Sequence, residues 1–176
     1  MVWENVRGPR AVFATVVATA LGAGLIPLAP GTWGTIIALP LAYVSVDWSW
    51  PLRLLLWLAI FLVGTWSATT FDEIMATGDN QHIVIDEVLG LGITAWTAGH
   101  DLKSWIAAFV LFRVFDILKP PPIRQIDTWS KKMAKSGAKG PLSRHWGGFG
   151  VMADDVLAGF EALAVIAVLQ GFKILG

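Results

Sequence analysis

Apolar residues along the chain fall into runs, and short polar or Gly/Pro-rich breaks separate the runs. The first run, Ala11 to about Leu21, predicts a helix that Gly22, Gly24, Pro27 and Pro30 end. Gly31-Thr32-Trp33-Gly34-Thr35 opens a second run, Ile36 to Val46, with Thr32 or Thr35 as its N-cap and Pro40 as a kink. Asp47-Trp48-Ser49-Trp50-Pro51 reads as an interfacial turn, with Pro51 in the first turn of the next helix. Leu52 to about Thr70 is the clearest candidate to cross a bilayer, which takes roughly 20 apolar residues. Phe71 to Ile74 is amphipathic and is expected outside the hydrocarbon, and Gly78-Asp79-Asn80 is expected to turn. Ile83 to Trp96 is short for a crossing and carries two adjacent acids, Asp86 and Glu87, in apolar sequence. Ser104 to Leu118 predicts a further helix, which Pro120-Pro121-Pro122 stops. A basic surface loop is expected at about 128–146, then a flexible turn at Gly147-Gly148-Phe149-Gly150 and a last apolar helix from Val156 to Leu169. The pattern predicts an all-α chain: an integral membrane helical bundle with short or broken helices, in one membrane-embedded domain over residues 1–176.

Composition supports the membrane reading. Of 176 residues, 55% are hydrophobic and 15% are charged, against about 25% charged in soluble domains. Ten Trp against one Tyr suit aromatic belts at the two membrane surfaces. Thirteen basic residues balance thirteen acidic ones, so nothing electrostatic draws the chain to nucleic acid. The absence of Cys excludes disulfides, zinc–thiolate sites and thiol nucleophiles. Arg7 and Arg10 before an apolar run resemble a signal peptide, but the run continues into the Gly/Pro motif and is read as part of the mature protein. By the positive-inside rule, the basic stretch from Lys119 to Arg144 is expected on the cytoplasmic side.

Three acidic clusters stand at the ends of apolar segments: Asp86 with Glu87, Asp116, and Asp154 with Asp155. Carboxylates gathered from three segments repel one another unless protons or a cation intervene. An oxygen-only set suits a hard ion, most naturally Mg²⁺. Arg113, Asp116 and Lys119 follow one another at i, i+3 and i+6, and Arg124 lies beyond the prolines. Two readings stay open for this stripe. It is an Arg113–Asp116 pair with Lys119 snorkelling at a membrane surface, or it is a site for a metal and an anionic group. Pro30 to Thr35 offers backbone amides before a helix, where a phosphate or a plain helix-breaking loop fits. His82 and His145 read as acid–base candidates or as polar loop residues. Metal-binding acids beside phosphate-binding cations point to metal-assisted phosphoryl chemistry, and their spread over membrane segments points to a phospholipid substrate.

Four stretches in order resemble the phosphatidylglycerophosphatase A family of bacterial lipid phosphatases: Gly22–Thr35, Ile83–Gly90, Phe112–Arg124 and Gly147–Gly159. The resemblance implies a mostly helical inner-membrane enzyme that needs Mg²⁺ and converts phosphatidylglycerophosphate to phosphatidylglycerol. It implies functional acids at Asp86, Glu87, Asp116, Asp127, Asp154 and Asp155, and basic positions at Arg113, Lys119 and Arg124. The likeness weakens after Asp127, where the link to Gly147 is longer than the family's and rich in Lys.

The expected assignment follows. Asp86, Asp116 and Asp155 are catalytic; Asp86, Glu87, Asp154 and Asp155 hold Mg²⁺; Arg113, Lys119, Arg124 and Thr32 bind substrate. The active site is expected to face the cytoplasm from the bacterial inner membrane. The rivals are a phosphatase for another membrane phosphomonoester, such as phosphatidic acid, and a small transporter or ion-binding protein. Oligomeric state is not legible.

Overall fold

The computed structural model describes residues 2–77, 80–135 and 145–175. Among these, every regular element is helical: α1 (Pro9–Ala18), α2 (Pro30–Ser45), α3 (Trp50–Met75), α4 (Ile85–Thr94), α5 (Leu102–Leu118), α6 (Ile123–Lys135) and α7 (Trp146–Gly171), with single 3₁₀ turns at Val2–Glu4, Ala23–Leu25 and Ala95–Thr97.

The shortest of the inner helices forms the centre. From Val88 to Thr94 every residue of α4 is buried, and α4 packs against α2, α3, α5 and α7. Missing side chains make room for so many neighbours. A Cβ on Gly92 would run into the Trp57 ring of α3, and one on Gly90 into the Phe112 ring of α5. Gly159 of α7 lies against the Gly90 carbonyl for the same reason. Thr94 Oγ1 donates to Gly90 O at 2.8 Å, with Gly159 O at 3.3 Å. The segment before α4 is fastened to the break after α1: Val84 N donates to Ala18 O at 2.8 Å, and His82 Nδ1 lies 2.7 Å from Gly24 O.

Several boundaries differ from the sequence reading. α2 starts at Pro30, whose fixed φ suits a first helical turn, after Ala29 in the left-handed region at φ 51°. Neither Thr32 nor Thr35 caps it, and Thr35 Oγ1 donates back to Gly31 O at 2.8 Å. α3 continues through Phe71–Ile74 to Met75, because Phe71 and Asp72 are buried. Asp72 Oδ1 then accepts from Thr77 Oγ1 and Asn80 N at 3.0 and 3.1 Å. Gly78 and Asp79 of the expected turn lie outside the described residues.

The expected flexible turn at Gly147–Gly150 is instead the start of α7. A Cβ on Gly148 would strike Thr65 O and Thr69 Oγ1 of α3, and one on Gly150 would strike Ser130 of α6. These glycines serve close packing rather than a bend. The expected basic loop is α6 as far as Lys135, and Gly137, Lys139, Gly140 and Arg144 lie outside the described residues. Ile123 and Ser130 are buried on α6 while Arg124, Lys131 and Lys132 face outward, which is an amphipathic helical pattern. Trp129, Trp146, Phe149 and Phe61 stack edge to face in sequence at 5.3–5.8 Å, joining α6, α7 and α3.

α3 is the one helix among those described that is long and apolar enough to cross a membrane. Its 26 residues span about 39 Å at about 1.5 Å per residue. Large apolar side chains are exposed on α3 (Leu55, Leu62), α2 (Ile37, Val44), α5 (Ile106, Val110) and α7 (Phe160, Val168).

Candidate active site

The first turn of α4 carries Asp86 and Glu87, where the positive end of a helix favours negative charge. α7 packs against α4 and supplies Asp154 and Asp155, both buried. Adjacent helical residues point about 100° apart, and the two acids diverge accordingly. Asp155 joins α4: one oxygen each from Asp86, Glu87 and Asp155 lies within 4.8 Å of the others. Asp154 turns to Lys119, whose Nζ it holds in a hydrogen-bonded ion pair.

The residues present fit a hard divalent cation. Asp86 Oδ1, Glu87 Oε2 and Asp155 Oδ2 are buried and accept no hydrogen bond. Buried carboxylate oxygens without donors call for a cation or a proton. Burial first, then the charges of Glu87, Asp155 and Asp154, pushes the Asp86 carboxyl well above its ordinary range.

α5 brings the basic groups. Arg113 Nη1 pairs with Asp116 Oδ2 at 2.7 Å and lies 3.6 Å from Glu87 Oε1. Asp116 is therefore placed beside Arg113. Gly31 of α2 faces the same point: a Cβ there would collide with Glu87 Oε1 and come within 3.0 Å of Arg113 Nη1. Thr32 is the next residue, half-buried in the first turn of α2.

Lys119 ends α5 in the left-handed region at φ 43°. Its Nζ also lies 3.5 Å from Asp127 Oδ1, which Lys131 Nζ approaches to 2.9 Å. The snorkelling reading of Lys119 gives way to a bridge between two acids. Burial opposes its charge, but Asp154, Asp127 and Asp155 outweigh burial and hold the ammonium above its usual range. At Asp127 burial is again opposed and outweighed, by Lys131 and Lys119, and the carboxyl sits below its usual range.

Arg124 is exposed on α6 and, among the described residues, pairs with none of these acids. His82 is held by Gly24 O and by its backbone N–H to Asn80 Oδ1 at 3.0 Å, in agreement with a loop role. His145 precedes α7, with Nδ1 3.4 Å from Thr69 Oγ1. Sequence reasoning missed Gly31, Gly90 and Gly159 as approach points and Lys131 as a partner of Asp127. Glycines inside apolar runs were the available signal for the first three. Lys131 stands four residues after Asp127, a helix-neighbour spacing hidden by reading the stretch as a loop.

Comparisons with known proteins agree on one family. The family model described as phosphatidylglycerophosphatase A matches residues 16–170, which contain every acidic and basic residue of the cluster. A phosphatidylglycerophosphatase A of Escherichia coli K12 is 32% identical over 152 residues, covering 86% of this chain and 80% of that relative. The Haemophilus influenzae protein of the same name is 36% identical over 157 residues, covering 88% and 87%. A Bacteroides thetaiotaomicron protein provisionally named phosphatidylinositol-3-phosphatase is 33% identical over 164 residues, covering 88% and 92%. No solved structure matches the chain. With its acids, cations and glycines all inside the matched span, the chain belongs to the phosphatidylglycerophosphatase A family, and it is a phosphatase.

Proposed function

We propose that this enzyme removes the terminal phosphate of phosphatidylglycerophosphate to give phosphatidylglycerol, in a Mg²⁺-dependent reaction at the cytoplasmic face of the bacterial inner membrane. One observation carries the reading: three buried carboxylate oxygens without donors, one each on Asp86, Glu87 and Asp155, stand beside Arg113 and Lys119. The first group suits a cation and the second suits phosphate oxygens, and phosphoryl transfer needs both.

Asp86, Glu87 and Asp155 would hold the ion, with Asp154 beside them. When bound there, Mg²⁺ supplies charge neutralisation at the phosphoryl oxygens and a lowered pKa for an attacking water. Arg113 offers its guanidinium fork to two phosphate oxygens, oriented by Asp116. Lys119 adds a point charge, oriented by Asp154 and Asp127. Thr32 and the start of α2 would border the phosphate, since Gly31 abuts Glu87 and Arg113. Arg124, exposed on α6, would meet the lipid head group rather than the transferred phosphate.

Membrane embedding of residues 1–176 as one domain is part of the same proposal. The exposed apolar side chains on α2, α3, α5 and α7 would face lipid. The amphipathic α6, with Lys131 and Lys132 outward, would lie along the cytoplasmic interface.

Phosphate release from phosphatidylglycerophosphate, phosphatidic acid and phosphatidylinositol-3-phosphate, with and without Mg²⁺, tests the proposal. The third lipid enters because of the Bacteroides relative's name. Release from the first alone, dependent on Mg²⁺, supports it. Preference for either other lipid overturns the substrate, and full activity without a divalent cation overturns the metal.

A further inference from the structure

The opposite end of the molecule carries a second unsatisfied arrangement. Arg53, in the first turn of α3, is only 8% exposed, and its guanidinium lies over the Trp96 ring at 4.5 Å. Its Nε is buried without a hydrogen-bond partner. Among the described residues no carboxylate pairs with it. Trp57, four residues on and therefore on the same face of α3, is 3% exposed, and its Nε1 also lacks a partner. The Trp57 ring lies against Gly92, where a Cβ would collide with it.

Both unpartnered groups are donors only, so the missing component is an acceptor. One donor belongs to a cation, so an anionic acceptor fits best. The N-terminus of α3 adds its own positive end, and Ser49 gives it no side-chain cap. The surroundings place the site at a membrane surface. Trp48 and Trp50 precede Arg53, and Tyr43 packs on Trp105 and His100 at 5.6 and 5.2 Å. Such a belt marks the head-group level.

We propose that Arg53, backed by Trp96 and Trp57, is a binding site for the phosphodiester of a phospholipid other than the substrate. The proposal rests on the membrane-embedded reading. Gly64, which packs on Ile85 beside Asp86, is eleven residues from Arg53, about 16 Å along α3. The lipid held here is therefore distinct from the substrate, and it braces α3 against the turn that follows α4.

The test uses detergent-purified, delipidated full chain. Native mass spectrometry and thermal melting are followed on titration with dioleoylphosphatidylserine, with dioleoylphosphatidylcholine and with inorganic phosphate. Wild type is expected to retain one lipid and to melt higher with it. Arg53→Gln is expected to weaken that lipid by at least about tenfold, with turnover at the acidic cluster within about twofold of wild type when lipid is in excess. Should Arg53→Gln fail to fold, Arg53→Lys and Trp96→Phe serve, with lipid retained more weakly than in wild type. Equal lipid retention in wild type and variants overturns the site. Stabilisation by inorganic phosphate equal to that by lipid overturns the lipid as occupant. A chain that stays soluble without detergent refutes the embedding itself, whereas a detergent-requiring chain with no Arg53-dependent lipid refutes the site alone.

Discussion

Two charged regions lie at different depths of one bundle, and they are unsatisfied in opposite senses. Around Asp86, Glu87 and Asp155, buried acceptors lack donors. Around Arg53 and Trp57, buried donors lack acceptors. Each region is built from helices whose interior glycines bring the groups close: Gly31 and Gly90 at the first, Gly92 at the second. On the two proposals, the ends receive different ligands. The acidic end asks for a cation and, through Arg113 and Lys119, a phosphate; the aromatic end asks for an anion alone.

The comparison breaks most sharply at the acids. Asp86→Asn and Asp155→Asn should each lower kcat for phosphate release by about 100-fold or more, since several kcal/mol of transition-state stabilisation would depend on the cation they are proposed to hold. Arg53→Gln, assayed beside them, should leave kcat nearly unchanged. An equal loss at both ends would erase the distinction drawn between them.

Next in size is packing. Gly92→Ala pushes a methyl into the Trp57 ring and Gly90→Ala into Phe112. Overpacking of this kind costs about 1–3 kcal/mol, visible as a lower Tm. Gly31→Ala should lower activity more than stability, because its methyl meets Glu87 and Arg113 rather than the apolar core.

The acidic end should also show itself in pH dependence. The Asp86 carboxyl is raised in the folded protein well above its ordinary value of 3.8, by burial first and then by its acidic neighbours. Folding therefore binds a proton, and the associated stability is fully present below that value and is lost as pH rises through the raised one. Cation-free protein should melt lower at about pH 8 than at about pH 5, and added Mg²⁺ should recover more at the higher pH. Thermal melts with and without chelator check this. A cation-free protein that is more stable at the higher pH would contradict the arrangement.

The smallest effect is expected at Lys131→Ala. Lys131 is half-exposed beside Asp127 and stands outside the ring of groups proposed to meet substrate. Asp127 keeps Lys119, so stability should change by about 0.5 kcal/mol or less. The phosphate-release KM should change by less than about threefold.

Much of the candidate site could be named before any coordinates because its chemistry is written in residue type. Asp86, Asp155, Arg113 and Lys119 stand as charges at the ends of apolar segments, where an uncompensated charge is costly. The divergence of Asp154 from Asp155 also followed from helical geometry. What sequence could not give was partnership across helices. The i, i+3 spacing offered an Arg113–Asp116 pair as one of two readings, and only the structure shows the two paired at 2.7 Å. Nor could sequence show that Arg124 is exposed on α6. The Gly147–Gly150 stretch was misread because glycine marks both turns and close helix contacts, and only Thr65, Thr69 and Ser130 decide between them. The helical fold itself followed from the apolar runs, with errors at ends such as Phe71–Ile74, where tertiary burial extends a helix past its apolar pattern, and at α6, an amphipathic helix read as a basic loop.

The central claim is that Asp86, Glu87 and Asp155 together bind a divalent cation. Isothermal titration of purified, chelator-treated protein with Mg²⁺, in parallel with Asp155→Asn, tests it most directly. The account predicts a saturable site in wild type, accompanied by proton release, and its loss in the variant. Wild type without saturable binding, or a variant that binds as well as wild type, would contradict it.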